Sequence, residues 1–134
     1  MIGILIFAHG RIASSYKKEI ERMIGEQEEF YAIDLSEGCN LCEIKKNLEV
    51  LTSEKEFIIF VDFLGGTPCN LSLNVFKGNN KLRIITGFNF AMLLSACIRR
   101  KEKSIDEVVE IAINEAKRSI KNIKEVLNDK GCKS

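Results

Sequence analysis

Apolar residues follow two rhythms along this chain. Nearly unbroken apolar runs at residues 2–8, 30–35, 57–61 and 82–86 alternate with stretches at 12–24, 41–51, 68–76 and 90–99, where apolar positions recur every three or four residues. The first rhythm is that of strands buried on both faces, and the second is that of amphipathic helices. Their alternation predicts an α/β fold: an open, mainly parallel sheet flanked by helices.

Punctuation agrees with those boundaries. Gly25 and Gly78 follow helical stretches, where a left-handed residue ends a helix, and Pro68 suits a first helical turn. Ser104 and Glu107 form a capping box that opens a last helix, whose apolar positions are Ile105, Val108, Val109, Ile111, Ala112 and Ala116. Residues 119–127 read two ways. Ile120, Ile123 and Leu127 continue a helical stripe, yet the segment is polar enough to detach. Residues 1–127 are expected to form a single domain and 128–134 a flexible tail.

The 134 residues, 46% of them apolar, are enough for one core, and no repeat, low-complexity tract or linker divides them. A net charge of +1 gives no global field to draw nucleic acid, so partners must be recognised locally. No run approaches the roughly 20 apolar residues of a membrane span, and Met1 leads straight into a strand without a signal-peptide pattern, so a cytoplasmic protein is expected. Five cysteines in such a setting are expected to be reduced thiols.

The chemistry gathers at two strand ends. The only histidine, His9, follows the first run, and Asp62 follows the third, leading into Phe63-Leu64-Gly65-Gly66-Thr67-Pro68. Open parallel sheets bind ligands outside the carboxyl ends of their strands, at a change in strand order. If the first and third strands are neighbours, Asp62 accepts a hydrogen bond from one ring nitrogen of His9, fixes the tautomer and leaves the other nitrogen as an oriented nucleophile. Gly65, Gly66 and Thr67 open a helix whose first amides suit phosphoryl oxygens, which favours phosphohistidine chemistry over hydrolysis. Arg11 could screen phosphoryl charge or meet an acidic partner. Phe63, Leu64, Phe88 and Phe90 are expected to form a docking surface.

Three signals point elsewhere. Cys39-Asn40-Leu41-Cys42 has the spacing of a redox or zinc half-site, but no companion pair or second histidine completes a metal site, so none is expected. A thiol redox role for Cys39 and Cys42 stays open as an alternative. Arg99, Arg100, Lys101 and Lys103 read as a solvated helix end. No phosphate-loop pattern follows the first strand, so neither a nucleotide nor another cofactor is expected.

Several motifs in order resemble the IIA domain of the mannose-type (mannose/fructose/sorbose) sugar phosphotransferase system. They are Ala8-His9-Gly10, Ile33-Asp34-Leu35 with Gly38, Val61-Asp62 with Gly65-Gly66-Thr67-Pro68-Cys69-Asn70, and Gly87-Phe88-Asn89-Phe90-Ala91-Met92. The resemblance implies a cytoplasmic phosphotransferase component that accepts phosphate from the phosphocarrier protein HPr on His9 and passes it to a IIB component, serving membrane IIC and IID components indirectly. It implies that Asp62 orients His9, that Gly65, Gly66 and Thr67 hold phosphoryl oxygens, and that Asn89 joins Arg11 and the phenylalanines on the partner rim. It also implies a homodimer in which a short antiparallel C-terminal strand crosses to the partner's sheet. A related IIA-like domain, the phosphodonor of dihydroxyacetone kinase, is the nearest alternative. Cys69 stands where the family often has Phe, and Ala91 where it often has Pro. Both departures bear on partner preference.

Overall fold

The computed structural model describes residues 1–129. In chain order the elements are β1 (Gly3–His9), α1 (Ile12–Ile24), β2 (Phe30–Leu35), α2 (Leu41–Thr52), β3 (Phe57–Val61), α3 (Thr67–Phe76), β4 (Leu82–Thr86), α4 (Phe90–Arg99), α5 (Ile105–Ser119) and α6 (Ile123–Asp129). The four strands form one parallel sheet in the order β2-β1-β3-β4.

The two faces of the sheet sort the strand residues by parity. Ile4, Ile6 and Ala8 of β1, with Ile58 and Phe60 of β3, pack under α1, α4 and α5. Leu5, Phe7, Ile59 and Val61 pack under α2 and α3. A strand that alternates between two covered faces has no solvent side, and this is why β1 and β3 read as unbroken apolar runs.

The strand order places the chemistry. After β1 the chain adds β2 on one side and then returns to add β3 on the other, so the loops after β1 and β3 diverge at their shared carboxyl end. His9 lies one residue beyond the Phe7–Val61 pair's neighbour Ala8, and Asp62 directly follows Val61. Both are therefore delivered to the same crevice.

The structure departs from the sequence pattern at two places. Arg100 is not part of a solvated helix end: it is only 3% exposed, and its guanidinium donates to the carbonyls of Ile2 (3.0 Å), Glu29 (2.9 Å) and Glu28. It ties the end of α4 to the start of β1 and the turn before β2, at the pole opposite His9. Beyond Ser119 the chain does not continue α5. Ile120 is extended (φ −86°, ψ 102°), and a new short helix opens at Ile123 with the Asn122 side chain accepting from the Lys124 N–H. Ser119 turns its hydroxyl back onto the Ala116 carbonyl at 2.7 Å, a bond that competes with continuing the helix. Of the tail expected at 128–134, the first two residues belong to α6, and 130–134 lie outside the described residues. Among the described residues, no helix is long and apolar enough to cross a membrane.

Candidate functional site

His9 and Asp62 meet as the strand order requires. Asp62 Oδ2 lies 2.7 Å from His9 Nδ1 and also accepts the His9 backbone N–H at 3.0 Å, while Asp62 Oδ1 accepts the Phe63 N–H at 3.2 Å. One carboxylate thus fixes both the ring and the peptide of His9. A carboxylate only accepts, so Nδ1 carries the proton of the neutral ring and the lone pair is on Nε2. Burial pushes the Asp62 carboxyl up, but the hydrogen bonds it accepts from the His9 backbone and ring outweigh it and hold the carboxyl below its ordinary value.

The turn after β3 shapes the other side of the ring. Gly65 sits at φ +90°, a conformation that costs glycine little. Gly66 is the residue before α3, and a Cβ there would lie 2.9 Å from His9 Cε1 and 3.0 Å from Phe63 Cζ. Only a glycine lets the start of α3 come this close to the imidazole. The Phe63 ring stacks on His9 with centroids 5.4 Å apart and planes 21° from parallel, closing one face while His9 stays 41% exposed.

The start of α3 is open to an anion. No side chain caps it, and Pro68 in its first turn has no N–H, which leaves the Thr67 and Cys69 amides without a side-chain acceptor among the described residues. In each of the other helices a side chain accepts a first-turn amide: Asp34 for α1, Asn40 for α2, Asn89 for α4, Ser104 for α5 and Asn122 for α6. The uncapped end is the one beside His9. Free amides with the helix dipole favour a nearby anion by about 0.3–1 kcal/mol.

His9, Asp62, Gly65, Gly66 and Thr67 therefore come together, and the expected rim divides. Phe63 (54% exposed) and Leu64 (75%) stand out to solvent beside the ring, and Arg11 is exposed at the entry to α1. Phe88 and Phe90 instead close on Tyr16, each with its centroid 5.0 Å from the Tyr16 ring, and lie half-buried against the core below α1. Asn89 is spent on structure: it accepts the Met92 N–H at 2.9 Å and donates to the Ala116 carbonyl and the Ser119 hydroxyl. These three are half-buried and bound to neighbouring elements, unlike the exposed Phe63, Leu64 and Arg11.

One contact of the neighbourhood is not evident from the sequence pattern. Asp34, at the end of β2 beside Ala8, accepts both the Ser14 N–H (3.0 Å) and the Ser14 hydroxyl (2.6 Å), and so docks the start of α1 onto the sheet next to His9. The one available signal is a carboxylate closing an otherwise apolar strand. Cys39 and Cys42 lie in the next loop and the first turn of α2.

The family model described as "PTS system fructose IIA component" (EIIA-man) matches residues 3–113, which include the whole of this site. The chain is 30% identical over 128 residues to the mannose-specific EIIAB component of the phosphotransferase system of Escherichia coli strain K12, covering 92% of this chain. It spans only 40% of that relative's length. It is 26% identical over 113 residues to the sorbose-specific EIIA component of Klebsiella pneumoniae, covering 82% of this chain and 83% of the relative. Among solved structures, a phosphotransferase system component EIIA from Streptococcus agalactiae superposes with a TM-score of 0.87 at 25% identity, covering 93% of this chain and 99% of the other.

Proposed function

This chain belongs to the mannose-type EIIA family of the sugar phosphotransferase system, and on that premise we propose that it carries a phosphoryl group on His9 Nε2, taken from phospho-HPr and given to a IIB component during sugar uptake. The observation that carries this reading is the 2.7 Å contact between Nδ1 and Asp62 Oδ2, which leaves Nε2 as the free nitrogen next to the uncapped start of α3.

The transfer needs no proton movement. The Nε2 lone pair attacks phosphorus as the bond to the donor's ring nitrogen breaks, and the departing nitrogen keeps that bond's electron pair. Nδ1–H stays donated to Asp62, so the positive charge developing on the His9 ring faces a carboxylate already in place. The Thr67 and Cys69 amides and the Thr67 hydroxyl take phosphoryl oxygens, with Gly65 and Gly66 allowing the backbone its close approach. Delivery to the IIB component is the same displacement in reverse. The stacked Phe63, with Leu64 and Arg11, forms the rim that the donor and the acceptor touch in turn.

The protein acts as a homodimer in this reading. β4 is an edge strand, and the groove between it and α5, about 390 Å³, is lined by Ile84, Met92, Val109, Ile113 and Ile120 among others. An open edge beside an apolar groove invites a second copy. Ile120, Ile123 and Leu127, all exposed, are the side chains placed to take part.

Incubation with phosphoenolpyruvate, enzyme I and HPr is expected to add one phosphoryl group, located on His9 by mass spectrometry, and ATP alone is expected to add none. A His9→Ala protein that still gains the phosphoryl group overturns the reading.

A further inference from the structure

We propose that Cys39 and Cys42 form a reversible thiol–disulfide couple, a modification site separate from His9. The four described cysteines fall into two kinds. Cys69 and Cys97 are 2% and 0% exposed, which keeps both from reagents in solvent, and burial pushes the Cys97 thiol up to about 11. Cys42 is exposed and Cys39 half-buried, and they are separated by two exposed residues, Asn40 and Leu41.

The pair spans the turn into α2. Gly38 at φ +78° and the Cys39 N–H on the Ser36 carbonyl (3.3 Å) turn the chain just before α2, and Asn40 precedes the helix in an extended conformation (φ −87°, ψ 105°). The first turn of α2 is tied by the Asn40 side chain to the Glu43 N–H at 3.2 Å and by the Ile44 N–H to the Asn40 carbonyl at 3.1 Å. The buried residues of this helix, Leu48 and Thr52, lie in its second half. Drawing Cys39 toward Cys42, to the Cα separation of at most about 7 Å that a disulfide requires, therefore disturbs the exposed Asn40 cap and the first turn up to the half-buried Ile44, and leaves the buried Leu48 and Thr52 in place.

Glutathione disulfide is a sufficient oxidant. The Cys42 thiolate attacks one of its sulfurs and releases one glutathione thiolate. Cys39, after losing its own proton, then attacks Cys42 Sγ in the mixed disulfide and releases the second. Two electrons and two protons pass from the pair, giving two molecules of reduced glutathione. The loop that carries the pair leaves β2 at Leu35, the residue paired with His9, whose carbonyl accepts the Gly10 N–H at 2.9 Å. The couple thus lies on the same pole as the phosphoryl-carrying histidine.

The full-length protein is equilibrated in glutathione buffers of increasing oxidised fraction, quenched, alkylated and weighed intact and after trypsin. Both thiols fall in the single tryptic peptide 23–45, which has no internal Lys or Arg. The expected result is loss of two hydrogens within that peptide, reversed by dithiothreitol, with Cys39→Ser and Cys42→Ser each retaining one glutathione instead. A wild-type peptide 23–45 that holds glutathione without closing, or that does not react, overturns the proposal. Both serine variants are expected to accept phosphate on His9 at the wild-type rate when reduced, so loss of the couple and loss of the carrier reading are distinct results.

Discussion

Replacing Asp62 with Asn isolates the charge of the carboxylate from its shape. In the native site one oxygen accepts from both the ring and the backbone of His9, and the other accepts the Phe63 N–H. An Asn side chain has one oxygen and one amide. With the oxygen toward His9 it keeps both of those bonds, and its NH2 opposes the exposed Phe63 N–H; with the amide reversed, two His9 donors lose their acceptor. The first arrangement is preferred, so the ring stays in place and the fold survives. What disappears is the ionic part of the bond to a developing imidazolium. A hydrogen bond to a charged group contributes about 1.5–3 kcal/mol against about 0.5–1.5 for a neutral one. The difference is about 1–1.5 kcal/mol, and at roughly 1.4 kcal/mol per tenfold in rate, transfer should slow by about five- to tenfold. The 41% exposure of His9 admits solvent screening and favours the lower end. Rapid-quench measurement of phosphorylation by phospho-HPr gives the rate constant, and circular dichroism checks the fold. Rate constants equal to the wild type's would refute the electrostatic role of Asp62. The same variant has a pH signature. Because the folded-state pKa of Asp62 is depressed, its contribution to stability is complete above the ordinary carboxylate range and is lost as pH falls through the lowered value. Asp62→Asn should therefore flatten the acid limb of a stability–pH profile.

Three further outcomes are expected. Gly66→Ala places a methyl group 2.9 Å from His9 Cε1 and should slow transfer by displacing the ring while circular dichroism stays native, whereas full-rate transfer would show that the ring has room to move. Arg100→Met removes a buried guanidinium that satisfies three backbone carbonyls and should cost about 3 kcal/mol or more in urea unfolding, with the refolded protein still phosphorylated. Truncation before Ile120 should convert a dimer to a monomer in light scattering, and an unchanged dimer would remove the C-terminal segment from the interface.

The parts of the molecule that the sequence makes legible are those governed by local pattern. Buried parallel strands must be apolar on both faces, so β1 and β3 stand out, and the turn chemistry of Gly65 and Gly66 is written in the residues themselves. The His9–Asp62 pairing is legible one step later, once both groups are seen to end strands. The remaining features depend on distant partners. Arg100 is held by carbonyls 71 to 98 residues away, and backbone acceptors leave no mark in a side-chain pattern. Phe88 and Phe90 are half-buried because Tyr16 of α1 lies over them. The break after Ser119 carries no glycine or proline, and rests on a hydroxyl that turns back onto the helix it ends.

Phosphoryl carriage at this site depends on which ring nitrogen of His9 is free. Two-dimensional 15N NMR of the His9 side chain in the phosphorylated protein, with 31P coupling, identifies the bonded nitrogen directly. Phosphorus on Nε2, with Nδ1 still protonated toward Asp62, is the predicted result. Phosphorus on Nδ1, or an imidazole that never gains it, would contradict the account.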